Sequence, residues 1–164
     1  MTSSEKILRK MKRLEKELQN KRKIKKINNR SRMNFLPKHF KNYLHIESMV
    51  YYMAERFIQN YDGGMWDFYQ IDGMPVMIWE KDKQVKLVND MNIIRKMNGQ
   101  TASFCVMLMA IIQSSYQTKN ETIQDRLKKQ YNSLIDWVLS DDDDTVQERE
   151  EFGISSSAVI NFLD

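Results

Sequence analysis

The side chains that could do chemistry are few. Two histidines (His39 and His45), one cysteine (Cys105) and the four aspartates at 141–144 are the first candidates for bases, nucleophiles or metal ligands. Neither histidine lies beside the cysteine or in a His-Glu-x-x-His spacing, which speaks against a zinc site. A nucleophilic triad would have to recruit one of them, yet no serine stands in a glycine elbow. Cys105 falls inside the apolar run 104–112, the setting of a buried small hydrophobe rather than a reactive thiol. The aspartate run lacks the glycine and the distal glutamate of a calcium-binding loop, and reads as a solvated acidic loop. Gly63-Gly64 follows a helical pattern instead of a strand and is too little to cradle a phosphate. The expectation is a protein without catalytic residues, metal or cofactor.

Phosphate binding has a better signal. Residues 1–32 carry 13 Lys/Arg against three acids, a net +10, whereas residues 33–164 carry −6. The overall +4 therefore describes neither part. Lys10, Arg13, Lys21, Arg22, Lys23, Lys25 and Lys26 are candidate contacts to DNA or RNA, with strong salt dependence and no sequence preference. The alternatives are a solvated tail or an arm folded back on the acidic body.

The spacing predicts a helix over 3–29, opened by capping-box spacing between Thr2 and Glu5 and free of Gly and Pro inside. Ile7, Met11, Leu14 and Leu18 make one narrow apolar stripe, which fails at Lys21 and Lys25. It could serve self-association or docking on the body, and the oligomeric state is left open. The linker is expected at 28–32, which divides the chain into a basic arm (1–32) and a body (33–164).

In the body, Pro37 is expected to break any helix and leave Phe35, Leu36 and Phe40 as an extended plug in the core. Residues 42–59 follow a helical pattern with Ile46, Met49, Val50, Met53 and Phe57 on one face. The glycines of Asp62-Gly63-Gly64 permit a sharp reversal into a strand at 65–71, on which Trp66 and Phe68 alternate with Asp67 and Tyr69. Asp72-Gly73 then turns the chain into 74–79, with Pro75 marking an edge strand. A third strand around Val85 and Leu87 would complete an antiparallel meander. Residues 89–99 read as a short fourth strand at 93–97 or as the start of a helix. Helices are expected at 100–117, apolar almost all round, at 121–139 and at 155–163. The sum is an α+β fold: a small antiparallel sheet of three to four strands packed against several helices, with an N-terminal basic helix.

A single cysteine permits no disulfide within the chain and suits a reducing cytoplasm. The apolar run 104–112 is about half of what crosses a bilayer, and the charged start has no apolar segment behind it. A cytoplasmic protein without membrane contact is expected.

Met33-Asn-Phe-Leu-Pro-Lys-His-Phe40, then a helix, then Tyr61-Asp-Gly-Gly-Met-Trp-Asp-Phe-Tyr69, resembles the KlcA/ArdB antirestriction family. Phe35, Pro37, Phe40, Gly63, Gly64, Trp66 and Phe68 are the matching motif positions. The likeness runs over about 33–164, through the apolar helix at 102–112 and the helix at 131–137, to Ser157-Ala-Val-Ile-Asn-Phe-Leu-Asp164. It departs at Gly73-Met74 and Ile78-Trp79-Glu80, where the family tends to a double glycine and Met-Ala-Pro. Ser140 and the aspartates replace the family's His-Pro-Glu-like helix end, and the basic arm lies outside the resemblance.

The resemblance implies a cytoplasmic accessory protein of a plasmid, phage or conjugative element. Such a protein protects incoming DNA from type I restriction without catalysis, its partners being host restriction-modification or DNA-processing proteins. Wholesale DNA mimicry fits poorly: duplex carries one charge per ~1.7 Å, so a ~35 Å domain would need about 20 net negatives. The body's −6 favours a local acidic patch. Asp62, Asp67 and Tyr69 are expected to face solvent and, with Asp164, to form the candidate interaction surface. Turn geometry or strand solvation is the alternative role of each. The runner-up function is a small nucleic-acid-binding regulator acting through the arm.

Overall fold

A computed structural model describes the backbone of residues 1–164 and the side chains of 1–17 and 23–164. The expected contacts of Lys21 and Arg22, and the end of the apolar stripe at Leu18, lie outside the described side chains. Helix α1 (Ser3–Arg22) opens with the capping box read from Thr2 and Glu5: each backbone N–H donates to the other's side chain at 3.2 Å. It stops well short of residue 29, because the next segment belongs to a sheet. Lys23 turns extended, and Ile24 N donates to the Glu148 carboxylate at 2.5 Å. Strand β1 (Lys25–Lys26) then pairs antiparallel with β2 (Trp66–Ile71).

Pro37 does not break a helix but sits inside one, α2 (Arg32–His39). The bond its missing N–H would have made is to the carbonyl of Met33, an exposed residue that water can serve. The plug is as expected, with Phe35, Leu36 and Phe40 buried, although a short helix delivers it. Helix α3 (Tyr43–Phe57) buries the predicted face of Ile46, Met49, Val50, Met53 and Phe57. Strands β2 and β3 (Met74–Trp79) form a hairpin in the register Trp66↔Trp79 to Ile71↔Met74. Its two turn residues, Asp72 (φ 51°) and Gly73 (φ 76°), both take the left-handed region that a type I′ turn requires. The sheet order is β1-β2-β3, which places Pro75 on an edge strand as read.

The meander ends there. Strand β4 (Gln84–Val88) pairs with β5 (Ile94–Asn98) in a separate two-stranded sheet rather than with β3, and β5 settles the ambiguous stretch as a strand. The physical reason is the start of α4 (Gly99–Gln117), which occupies the place where a fourth strand would join. Ser103 Oγ takes the Trp79 N–H at 2.8 Å, and Gly99 N donates to Lys83 O at 2.8 Å. Glu80 (φ 53°) and Asp82 (φ 66°) turn the chain out of the plane of the first sheet. A polar knot centred on the buried Gln100 ties this corner. Gln100 accepts from Asp82 N at 2.8 Å and donates to Asp82 Oδ1 at 2.8 Å and to Phe152 O at 2.9 Å. Asn98 caps α4 through Thr101 N at 2.9 Å and donates to Gly153 O at 2.6 Å.

Helix α4 is the core: Phe104, Cys105, Val106, Met107, Leu108, Ala110 and Ile111 are all buried. Around it pack α3, β3, α5 (Glu121–Leu139) and α7 (Ser156–Leu163). The acidic quartet is exposed as expected, but only Asp141 is plain loop, because the other three start a helix. Asp142 caps α6 (Asp143–Phe152) by accepting from Thr145 N at 3.2 Å, and Asp143 and Asp144 lie at the positive end of that helix. The architecture is α+β, with two small antiparallel sheets of three and two strands. Among the described residues, no helix is long and apolar enough to cross a membrane.

Burial pushes the Cys105 thiol up to about 12. The native protein is expected to resist a thiol reagent at about pH 8, where an exposed cysteine is partly thiolate, and to react once unfolded in urea. Labelling followed by mass measurement checks this; rapid native labelling would contradict the burial.

Candidate interaction site

The aromatic string from Tyr61 to Tyr69 is built as a clasp between α3 and the first sheet. Asn60 (φ 61°), Gly63 (φ 85°) and Gly64 (φ 111°) reverse the chain. The reversal is pinned by two indoles: Trp79 Nε1 donates to Gly63 O at 3.0 Å, and Trp66 Nε1 donates to Tyr61 Oη at 2.9 Å. Trp66 and Trp79, opposite each other in the register, stack at 6.3 Å, and Tyr61 meets Trp79 edge-on at 5.1 Å. Phe68 stacks on Phe35 of α2 at 5.7 Å and lies beneath the Arg32 guanidinium at 4.3 Å. Trp66 and Phe68 are core on one face of β2, as the alternation implied.

On the other face the outcome is mixed. Asp67 is partly exposed and sits between two cations, Lys26 Nζ at 3.7 Å and Arg32 Nη1 at 4.0 Å. Arg32 also donates to the Trp66 carbonyl, so one arginine ties the start of α2 to β2. Tyr69 does not face solvent. It is buried at 8% exposure, with its ring edge-on to Phe152 at 5.2 Å, because α6 covers that side of the strand. Asp62 is exposed in the turn, and Asp164 is exposed at the end of α7, an element packed on α4 and α5. The exposed carboxylate of Asp67 thus belongs to a mixed-charge face with Lys26 and Arg32, a feature that sequence spacing alone did not reveal.

The basic candidates are likewise divided. Lys10 and Arg13 stand exposed on α1, with Arg13 at 3.9 Å from Glu17. Lys23 is the C-cap of that helix, and Lys25 and Lys26 are exposed on β1 opposite Gln70 and Tyr69. The residues considered for catalysis are scattered. His39 is half-buried edge-on to Phe35 at 5.0 Å, its pKa lowered by burial and then by Lys38 and Arg126. His45 is exposed on α3, and Cys105 lies in the core. The described residues contain no group of three His, Cys, Asp or Glu able to hold a metal ion.

A family model described as antirestriction protein matches residues 59–146, from the turn before β2 to the first turn of α6. The chain belongs to the antirestriction protein family. The match covers more than half of the sequence and includes both hairpins and the α4–α5 core. No curated protein matches the chain. Among solved structures, the fold is similar to one reported for the KlcA and ArdB proteins. That structure is described as showing a novel fold and antirestriction activity against type I DNA restriction systems in vivo but not in vitro. The TM-score is 0.64 at 20% identity, over 79% of this chain and 93% of the other. This antirestriction protein therefore has the KlcA/ArdB fold, and the resemblance read from the aromatic string is borne out.

Proposed function

We propose that the chain protects incoming DNA of a plasmid, phage or conjugative element from type I restriction in the host cytoplasm. It does so by binding a host restriction-modification or DNA-processing protein, not by catalysis. The observation that carries this reading is the family match over 59–146, a span that includes Tyr61, Trp66, Asp67 and Trp79 but not Lys26 or Arg32. Dispersal of the two histidines and the buried cysteine supports binding over chemistry. The in vivo but not in vitro activity described for the structural relative fits a target that includes other cellular components. Asp62 and Asp67 are the contact groups of the docking face, with Tyr69 holding β2 from beneath and Asp164 as an outlying carboxylate.

A second reading, in which the arm binds DNA or RNA, is favoured by one observation: residues 1–17, with Lys10 and Arg13 among them, are exposed throughout. Plating unmodified phage on a type I restricting host separates the two. The full chain is expected to raise plating efficiency toward that of modified phage. A chain with Lys10, Arg13, Lys23 and Lys25 changed to glutamine is expected to protect as well. Absence of protection by the full chain overturns the proposal, and loss in the glutamine variant alone transfers the function to the arm.

A further inference from the structure

Helix α1 carries an apolar stripe that, among the described residues, nothing covers. Ile7, Met11 and Leu14 are 60%, 52% and 50% exposed, so docking on the body is not its arrangement here. Numbered as a heptad, Met11 takes an a position and Ile7 and Leu14 take d positions. The charges sort by the same count. Lys6, Arg9, Lys12, Arg13 and Lys16 fall at b, c and f, on the side away from such a seam. Beside the seam stand Lys10 at g and Glu15 at e of the next heptad, the two positions that meet across a parallel pair of helices. Glu17, the other acid near the seam, is held by Arg13 of its own helix at 3.9 Å.

We propose that α1 docks on α1 of a second copy of this chain as a short parallel coiled coil, in register, with Lys10 of each copy facing Glu15 of the other. A second copy is the partner that matches both features at once, since the two-fold operation brings the stripe onto itself and makes the Lys10–Glu15 pairing twice. Cations on the outer positions remain in water and keep their distance from those of the partner helix. The seam falls short of the three to four heptads of a stable coil, so the dimer is concentration-dependent and not obligate.

Sedimentation equilibrium of the full chain from micromolar to millimolar concentration tests this. A monomer–dimer equilibrium is expected. Leu14→Lys, which places a charge in the seam, should raise the dissociation constant by about tenfold or more. Lys10→Glu should raise it several-fold, and Lys10→Glu combined with Glu15→Lys should restore it. These exposed helix positions leave the body intact, which circular dichroism and the melting temperature confirm for each variant. A monomer at every concentration, a dimer indifferent to Leu14→Lys, or failure of the double charge exchange to restore pairing would overturn the proposal.

Discussion

Gly99→Ala is expected to destabilise the protein by about 3–5 kcal/mol, overpacking at the upper end of its usual range plus the loss of buried hydrogen bonds. A β-carbon at Gly99 would overlap the carbonyl oxygens of Trp79 and Glu80 at well under 3.0 Å. Both obstacles are backbone and cannot rotate away. Relief requires the start of α4 to move off the 79–83 turn, which breaks the bond from Trp79 N to Ser103 Oγ and that from Asp82 N to Gln100 Oε1. At about 2–4 °C per kcal/mol for a chain of this size, the midpoint of thermal unfolding should fall by about 10 °C. Gly63→Ala is the informative comparison. Gly63 has φ 85° and nothing within 4 Å of the added carbon, so only conformational strain applies, about 1–2 kcal/mol. A larger loss at Gly63 than at Gly99 would contradict the close approach that ends the meander.

The second large effect is expected at Arg149. This arginine of α6 is buried at 7% exposure, and its Nη1 donates to the carbonyls of Trp137 at 3.0 Å and Ser140 at 3.2 Å. Those are carbonyls at the C-terminal end of α5, where a cation meets the negative end of the dipole; Trp137 O also accepts from the Ser140 cap N–H at 3.3 Å, whereas Ser140 O lies beyond the helix. Arg149→Met keeps most of the stem volume but removes both bonds, leaving Trp137 O with the Ser140 N–H alone and Ser140 O without this donor, at a cost of about 2–3 kcal/mol. Urea unfolding measures it. Because the acceptors are carbonyls in a buried site, added salt should change the loss little. A loss that vanishes in high salt would mean that Arg149 acts through the acidic surface of α6 instead.

These two residues also show where sequence reasoning stopped. Helix α4 was legible because its apolar residues surround it, and the aromatic string was legible because period-two alternation survives in β2. The partner of β4 was not. Pairing depends on what occupies the free edge of β3, and Ser103, some 24 residues away, takes the Trp79 N–H. Asp142 read as loop because a capping aspartate and a solvated one look alike until the Thr145 N–H is placed. Tyr69 read as surface because alternation gives the face of a strand but not what covers it, here Phe152. At the candidate site, Asp67 is visible in the alternation, whereas its neighbours Lys26 and Arg32 arrive from segments whose composition reads as an arm and a linker. What the string marks most clearly is the clasp that holds the fold, with the proposed docking face around its edge.

The central claim, in the form where the host target is the type I restriction complex itself, is that protection comes from stoichiometric occupation of that complex. It is tested most directly by counting, with quantitative mass spectrometry, the copies of this chain per cell at half-maximal protection against the copies of the type I restriction complex. Binding predicts at least about one chain for each restriction complex, with the requirement rising as the complex is overexpressed. Full protection by a small fraction of a chain per complex, unchanged when the complex is made in excess, would contradict it.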